Sequence, residues 1–196
     1  LNEYIYLSTE EEKICVNKII NTCRDGEVNE KYITILSCYF PLYKLLDRIP
    51  SLKSYNSSNQ NIKELIKLQI SEPQEEIELS KSIKTLGSIQ DLISKKVQSQ
   101  YEENPYPRWK CGNPSRKRKV SFLRAINDEI KPNYVSHSRD DCQVKILVAG
   151  CGTGNQILHT QIFRNAEITA IDLSCNSLSY AKRKINQMSI HNVKLI

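Results

Sequence analysis

The feature that most constrains this chain is the run Val144-Lys-Ile-Leu-Val-Ala-Gly-Cys-Gly-Thr-Gly-Asn-Gln156, followed by Ile168-Thr-Ala-Ile-Asp-Leu-Ser174. Val144–Ala149 and Glu167–Ile171 are nearly continuous apolar runs of strand length. Strands covered on both faces need such runs. Between them, Asn155–Arg164 has the length and pattern of a helix. A second helix is expected over Cys175–Met188, and a third strand begins at Val193–Ile196. Strands alternating with helices indicate a parallel sheet with crossover helices. The expected fold for residues 144–196 is therefore α/β, the first two to three strands of a Rossmann-like doubly wound sheet.

Gly150, Gly152 and Gly154 alternate at the first turn. A tight turn from strand to helix needs positive φ and close backbone approach, and glycine supplies both. Such a turn presents amides at a helix N-terminus, suited to a carboxylate or phosphate. The dinucleotide fingerprint needs glycines at relative positions 1, 3 and 6. Counted from Gly150, the sixth position is Asn155, and from Gly152 it is Ile157, so a nicotinamide or flavin dinucleotide is disfavoured. Asp172 ends the second strand, 22 residues beyond Gly150, the distance at which an acid reaches ribose hydroxyls. Leu173 beside it is placed to pack on an adenine face.

These residues resemble class I S-adenosylmethionine-dependent methyltransferases. Gly150-Cys-Gly-Thr-Gly154 is similar to their first motif, and Ile171-Asp-Leu-Ser174 with Ser177-Leu-Ser-Tyr-Ala181 to their second. The resemblance implies S-adenosyl-L-methionine as cofactor. It implies that Gly150, Cys151, Gly152, Thr153 and Gly154 line the methionine part, that Asp172 holds the ribose, and that Leu173 abuts the adenine. Gln100-Tyr-Glu-Glu-Asn-Pro-Tyr-Pro-Arg-Trp109 upstream resembles a bacterial group of these enzymes often fused to tetratricopeptide repeats. Tyr101, Tyr106 and Trp109 would then close over the cofactor or shape the acceptor entrance; packing of a Pro-rich linker on the sheet is the alternative. One departure is Val148, where many members carry an acid two residues before the first glycine. The full fold of the family has seven strands. The expectation is a piece of a longer protein, inactive alone, with no residue assignable to catalysis.

Composition narrows the setting. The chain has 196 residues, 39% hydrophobic and 26% charged, so it is neither disordered nor membranous by composition. No run of about 18 apolar residues exists, and no signal peptide is visible, so no membrane association is expected. The 7 cysteines form no Cys-x-x-Cys pair, and with 3 histidines they give no zinc spacing. Reduced thiols in a cytoplasmic protein, with no metal, are the expectation. The net charge of +6 includes one dense run, Arg116-Lys-Arg-Lys119. No aromatic residues interleave with it as a nucleic-acid stacking platform would require. A protein or small-molecule methyl acceptor is favoured over nucleic acid.

Residues 1–100 read as an all-helical N-terminal region. Ser8-Thr-Glu-Glu11 has capping-box spacing. Ile14, Cys15, Lys18, Ile19, Thr22 and Cys23 then form a stripe ended by Gly26. A second helix is expected over about Asn29–Phe40, before Pro41, and Ser51–Asn61 reads as a loop. After a helix over Asn61–Ile70, Ser71-Glu-Pro-Gln-Glu-Glu76 has the residues of a fresh helix start, and Ser88 those of a cap for a last helix through Ile89, Leu92, Ile93 and Val97. Residues 101–143 read as a Pro/aromatic and basic linker with a short helix over about Val120–Ile130, and 144–196 as the half-domain. The alternative function is a helical protein-interaction module with a degenerate, non-catalytic Rossmann-like domain. The helices are read as packing on one another and on the later domain, with a protein partner on the helical region as the alternative.

Overall fold

The computed structural model describes residues 8–112, 119–136 and 143–196. The chain divides into two compact units, Leu1–Glu75 and Glu76–Ile196.

The first unit is helical. Helix α1 spans Glu10–Arg24, and its capping box is Thr9 with Glu12, one residue later than the Ser8–Glu11 frame. Thr9 N–H donates to Glu12 Oε2 at 2.7 Å, while Glu12 N–H donates to Thr9 Oγ1 at 3.2 Å. Both frames satisfy the capping pattern; the later one also brings Glu12 Oε1 to the Tyr39 hydroxyl at 3.1 Å. The buried stripe is Val16, Ile20 and Cys23, and Ile14 is 55% exposed. Helix α2, Glu30–Tyr39, is capped by Asn29 and ends at Phe40 before Pro41. Short 3-10 turns follow at Leu42–Leu45 and Pro50–Lys53, the latter running into the stretch expected to be a loop. Leu36, Leu42, Ile49, Leu52 and Ile70 close the core with the α1 stripe.

Helix α3 spans Gln60–Ile66 and runs through a π turn, Lys67–Ser71, into α4, Glu72–Ser80. Ser71 therefore begins no new helix. Proline in a helix clashes with the carbonyl four residues earlier, and a wide π turn before Pro73 relieves that crowding. The same turn buries Gln69, which accepts from Leu42 N–H at 3.2 Å and donates to the Ser37 carbonyl at 3.3 Å.

The second unit contains α5, Leu92–Glu103, and α6, Phe122–Glu129. Asp91, not Ser88, caps α5: its carboxylate accepts Ser94 N–H at 2.7 Å, and that bond holds the carboxyl below its ordinary range. A charged cap gains from the helix dipole as well as the hydrogen bond. Ile89 lies before the helix.

Three parallel strands follow in the order β1-β2-β3: Val144–Ala149, Ala166–Ile171 and Val193–Leu195. Val144 pairs with Ala166 and Ala149 with Ile171; Ile168 pairs with Val193. Helix α7, Asn155–Thr160, links β1 to β2, and α8, Cys175–Gln187, links β2 to β3. This is a Rossmann-like α/β arrangement with a helical region before it. Right-handed crossovers that advance in one direction place both helices on one face. Ile146, Val148, Ala166, Ile168 and Ala170 accordingly pack with Ile157, Leu178 and Ile185. The other face is less covered among the described residues: Thr169 and Ile171 are half-buried, and Leu147 is 64% exposed. So β1 alternates in burial instead of being covered on both sides.

Helix α7 stops at Thr160, short of the expected Arg164. Phe163 makes a parallel bridge with Val120, whose N–H donates to the Ile162 carbonyl at 2.9 Å. Helix α8 ends in a Schellman motif: Ser189 takes φ +54°, Ser189 N–H donates to the Asn186 carbonyl at 3.0 Å, and Ile190 N–H to that of Ile185 at 3.1 Å.

Candidate functional site

The glycine turn leaves the C-terminal end of β1, where open α/β sheets place their ligands. Gly150, Gly152 and Gly154 all have positive φ, at 65°, 50° and 86°. At Gly154 the demand is also one of space. A Cβ there would stand 2.8 Å from the Cβ of Ala181, so α8 lies directly against the start of α7. Cys151 N–H donates to the Ile171 carbonyl at 3.0 Å, which ties the turn to the end of β2. Cys151 and Thr153 are buried. Burial, with the nearby Asp172 charge second, pushes the Cys151 thiol up to about 12.

Asp172 sits beside this turn. Its Oδ2 accepts Gly152 N–H at 2.7 Å, and its Oδ1 accepts Ser174 N–H at 2.9 Å. A carboxylate offers about four lone-pair sites, so two bonds leave acceptor capacity for further hydroxyls. Leu173 is next in line and 44% exposed. Ser174 then caps α8, accepting Ser177 N–H at 3.0 Å. The seven residues singled out from the sequence, Gly150 to Gly154 with Asp172 and Leu173, thus lie at the adjoining ends of β1 and β2. Val148 points into the core and brings no polar group to the turn.

Sequence reasoning missed how the upstream segment is fastened here. The Tyr106–Pro107 peptide is cis. The Pro107 carbonyl accepts the Thr153 hydroxyl at 2.6 Å, and the Trp109 indole N–H donates to the Thr153 carbonyl at 3.0 Å. Tyr180 donates its hydroxyl to the Trp109 carbonyl at 2.6 Å, and the two rings meet edge to face at 6.1 Å. Arg183, fully buried on α8, donates from Nε to Glu76 Oε1 at 2.9 Å, and its guanidinium lies 4.9 Å from the centroid of the Tyr180 ring. Trp109 therefore buttresses the turn, Tyr106 is exposed, and Tyr101 is 40% exposed. The signal for this strap was the Pro-Tyr-Pro-Arg-Trp run itself. Nothing in it named Thr153 as the partner.

The second missed contact lies at the start of α8. Glu102 accepts Cys175 N–H at 2.6 Å and Asn176 N–H at 3.1 Å, and Gln98 donates to the Leu173 carbonyl at 2.9 Å. The dense basic run falls outside the described residues except for Lys119. So do His137 and Cys142; the other six cysteines are free thiols. Among the described residues no three His, Cys, Asp or Glu side chains converge on a metal position, and no helix is long and apolar enough to cross a membrane.

No family model matches the chain, and no curated protein matches it. Among solved structures it is similar to coclaurine N-methyltransferase bound to N-methylheliamine and SAH, at 16% identity and a TM-score of 0.35. That likeness covers 93% of this chain and 50% of the other, so the chain spans about half the length of that enzyme. The fold described above rests on strand order and register, not on this likeness.

Proposed function

We propose that residues 144–196 hold the cofactor half-site of an S-adenosylmethionine-dependent methyltransferase. The observation that carries this reading is the Asp172 carboxylate, bonded to the Gly152 amide at 2.7 Å with acceptor capacity left over. In this reading Asp172 receives the ribose hydroxyls, Leu173 borders the adenine, and the turn Gly150-Cys151-Gly152-Thr153-Gly154 lies along the methionine part. The protein works in the cytoplasm on a protein or small-molecule acceptor, and the helical region offers a surface for a protein partner. Methyl transfer depends chiefly on aligning the acceptor with the sulfonium methyl.

Calorimetric titration of S-adenosylmethionine into the chain tests the reading. Hydrogen bonds to a charged group are worth about 1.5–3 kcal/mol, so Asp172→Ala weakens binding by about tenfold to a hundredfold. Asp172→Asn, which keeps an acceptor, falls between. Equal affinity in wild type and Asp172→Ala removes the ribose assignment. No binding to the wild-type chain at millimolar cofactor removes the reading of residues 144–196 as a cofactor half-site, and the non-catalytic interaction module takes its place.

A further inference from the structure

Helix α5 rests on α8 with little apolar burial. None of its residues is buried, and Leu92, Ile93, Val97 and Tyr101 are all exposed. Ile93, Val97 and Tyr101 recur at intervals of four and so share one stripe. Gln98 and Glu102, also four apart, make the attachment from a different side. Gln98 Nε2 donates to the Leu173 carbonyl at 2.9 Å. Glu102 Oε1 accepts Cys175 N–H at 2.6 Å, Oε2 accepts Asn176 N–H at 3.1 Å, and the Glu102 carbonyl accepts Asn176 Nδ2 at 2.7 Å. The first-turn amides of α8, at the positive end of its dipole, are thus filled by a carboxylate of the chain itself.

A helix of this length is marginal on its own. With no apolar side chain fully buried, these bonds carry much of its attachment, which puts it at the low end of local stability. Residues 81–91 before it are not helical and include Gly87 at φ +69°. The bonds land on Leu173, Cys175 and Asn176, directly after Asp172. The latch is therefore built on the border of the candidate adenine site.

We propose that α5 is a latch on that border. Glu102 is its positioning residue: it pins the first turn of α8 behind Leu173, and release of Glu102 is the step that lets an adenosyl ligand enter and leave. The gating role rests on the cofactor reading above; the attachment itself does not.

Two arms on the full chain separate them. In the first, hydrogen exchange is followed without ligand in wild type, Glu102→Ala and Glu102→Gln. Glu102→Ala speeds exchange of amides 92–103 by about tenfold, the equivalent of one charge-assisted bond, while amides of β1 and β2 keep their wild-type rates. Glu102→Gln restores part of the protection. Unchanged exchange in 92–103, or equal acceleration across β1 and β2, overturns the latch. In the second arm, association and dissociation rates of S-adenosylhomocysteine are measured. Both rise in Glu102→Ala with the equilibrium constant shifted less than either rate; unchanged rates overturn the gating role. If wild type binds no S-adenosylhomocysteine, the cofactor reading and the gating role fall together, while the exchange arm still decides whether Glu102 holds α5.

Discussion

The close approach at Gly154 gives a stability effect that can be dissected. Gly154→Ala puts a Cβ 2.8 Å from Ala181 Cβ and 3.3 Å from Ala181 Cα, on a residue at φ +86°. Left-handed backbone costs a non-glycine residue about 1–2 kcal/mol. Overpacking a close contact adds about 1–3 kcal/mol, against which a stiffer unfolded chain returns about 0.4–1 kcal/mol. The expected loss is about 2–4 kcal/mol, a large share of the stability of an ordinary domain. Gly150→Ala is the control: its φ is +65°, but a Cβ there meets nothing within 4 Å. It carries the backbone term alone, about 1 kcal/mol after the unfolded-state return. The assay is urea unfolding followed by fluorescence of Trp109, the chain's one tryptophan, whose indole is bonded to the Thr153 carbonyl in the turn under test. In a double-mutant cycle, Ala181→Gly removes the opposing methyl group and recovers about 1 kcal/mol or more of the Gly154→Ala loss. Equal losses for Gly150→Ala and Gly154→Ala, or no coupling to Ala181, would refute the argument that α8 closes on the turn at this point.

Three further outcomes follow from two sites described above. The Cys151 thiol, raised to about 12 by burial, stays protonated at pH 8 and resists iodoacetamide, whereas exposed Cys15, Cys38 and Cys111 are labelled; rapid labelling of the Cys151 peptide in native protein contradicts this. Because the folded value is raised, the stability this thiol contributes is whole below about pH 9 and is lost as pH rises through about 12, which alkaline unfolding of Cys151→Ser should lack. Ser189→Gly relieves the left-handed C′ position of α8 and moves the urea midpoint up by about 0.5–1 kcal/mol equivalent. A lower midpoint would mean that the Ser189 side chain itself holds the cap.

The strand ends were legible because apolar runs and glycines leave few alternatives. Val144–Ala149 is the strand the sequence predicts, and α8 ends within one residue of its expected end. What escaped sequence reasoning depended on partners far along the chain. Helix α7 is cut short by Val120, some 40 residues upstream, through a bridge that no local pattern announces. The frame of the first capping box is chosen between two equal candidates by Tyr39. Pro73 reads locally as a helix start, yet a π turn absorbs it. At the candidate site, the acid and the glycines follow from spacing alone, whereas the roles of Glu102, Gln98 and Trp109 require knowing which backbone groups they reach.

The one-way strand order has a consequence for the order of events during synthesis. Each new strand pairs with the strand made just before it, and each crossover helix closes over strands already made. The bonds that fix the glycine turn draw on Pro107, Trp109, Ile171 and Asp172, and its tightest contact is with Ala181. On a ribosome these residues emerge in the sequence in which they are needed: the strap is waiting before the turn appears, and the turn before the carboxylate. Every residue that bonds or touches the turn has therefore been made once the first half of α8 has cleared the exit tunnel.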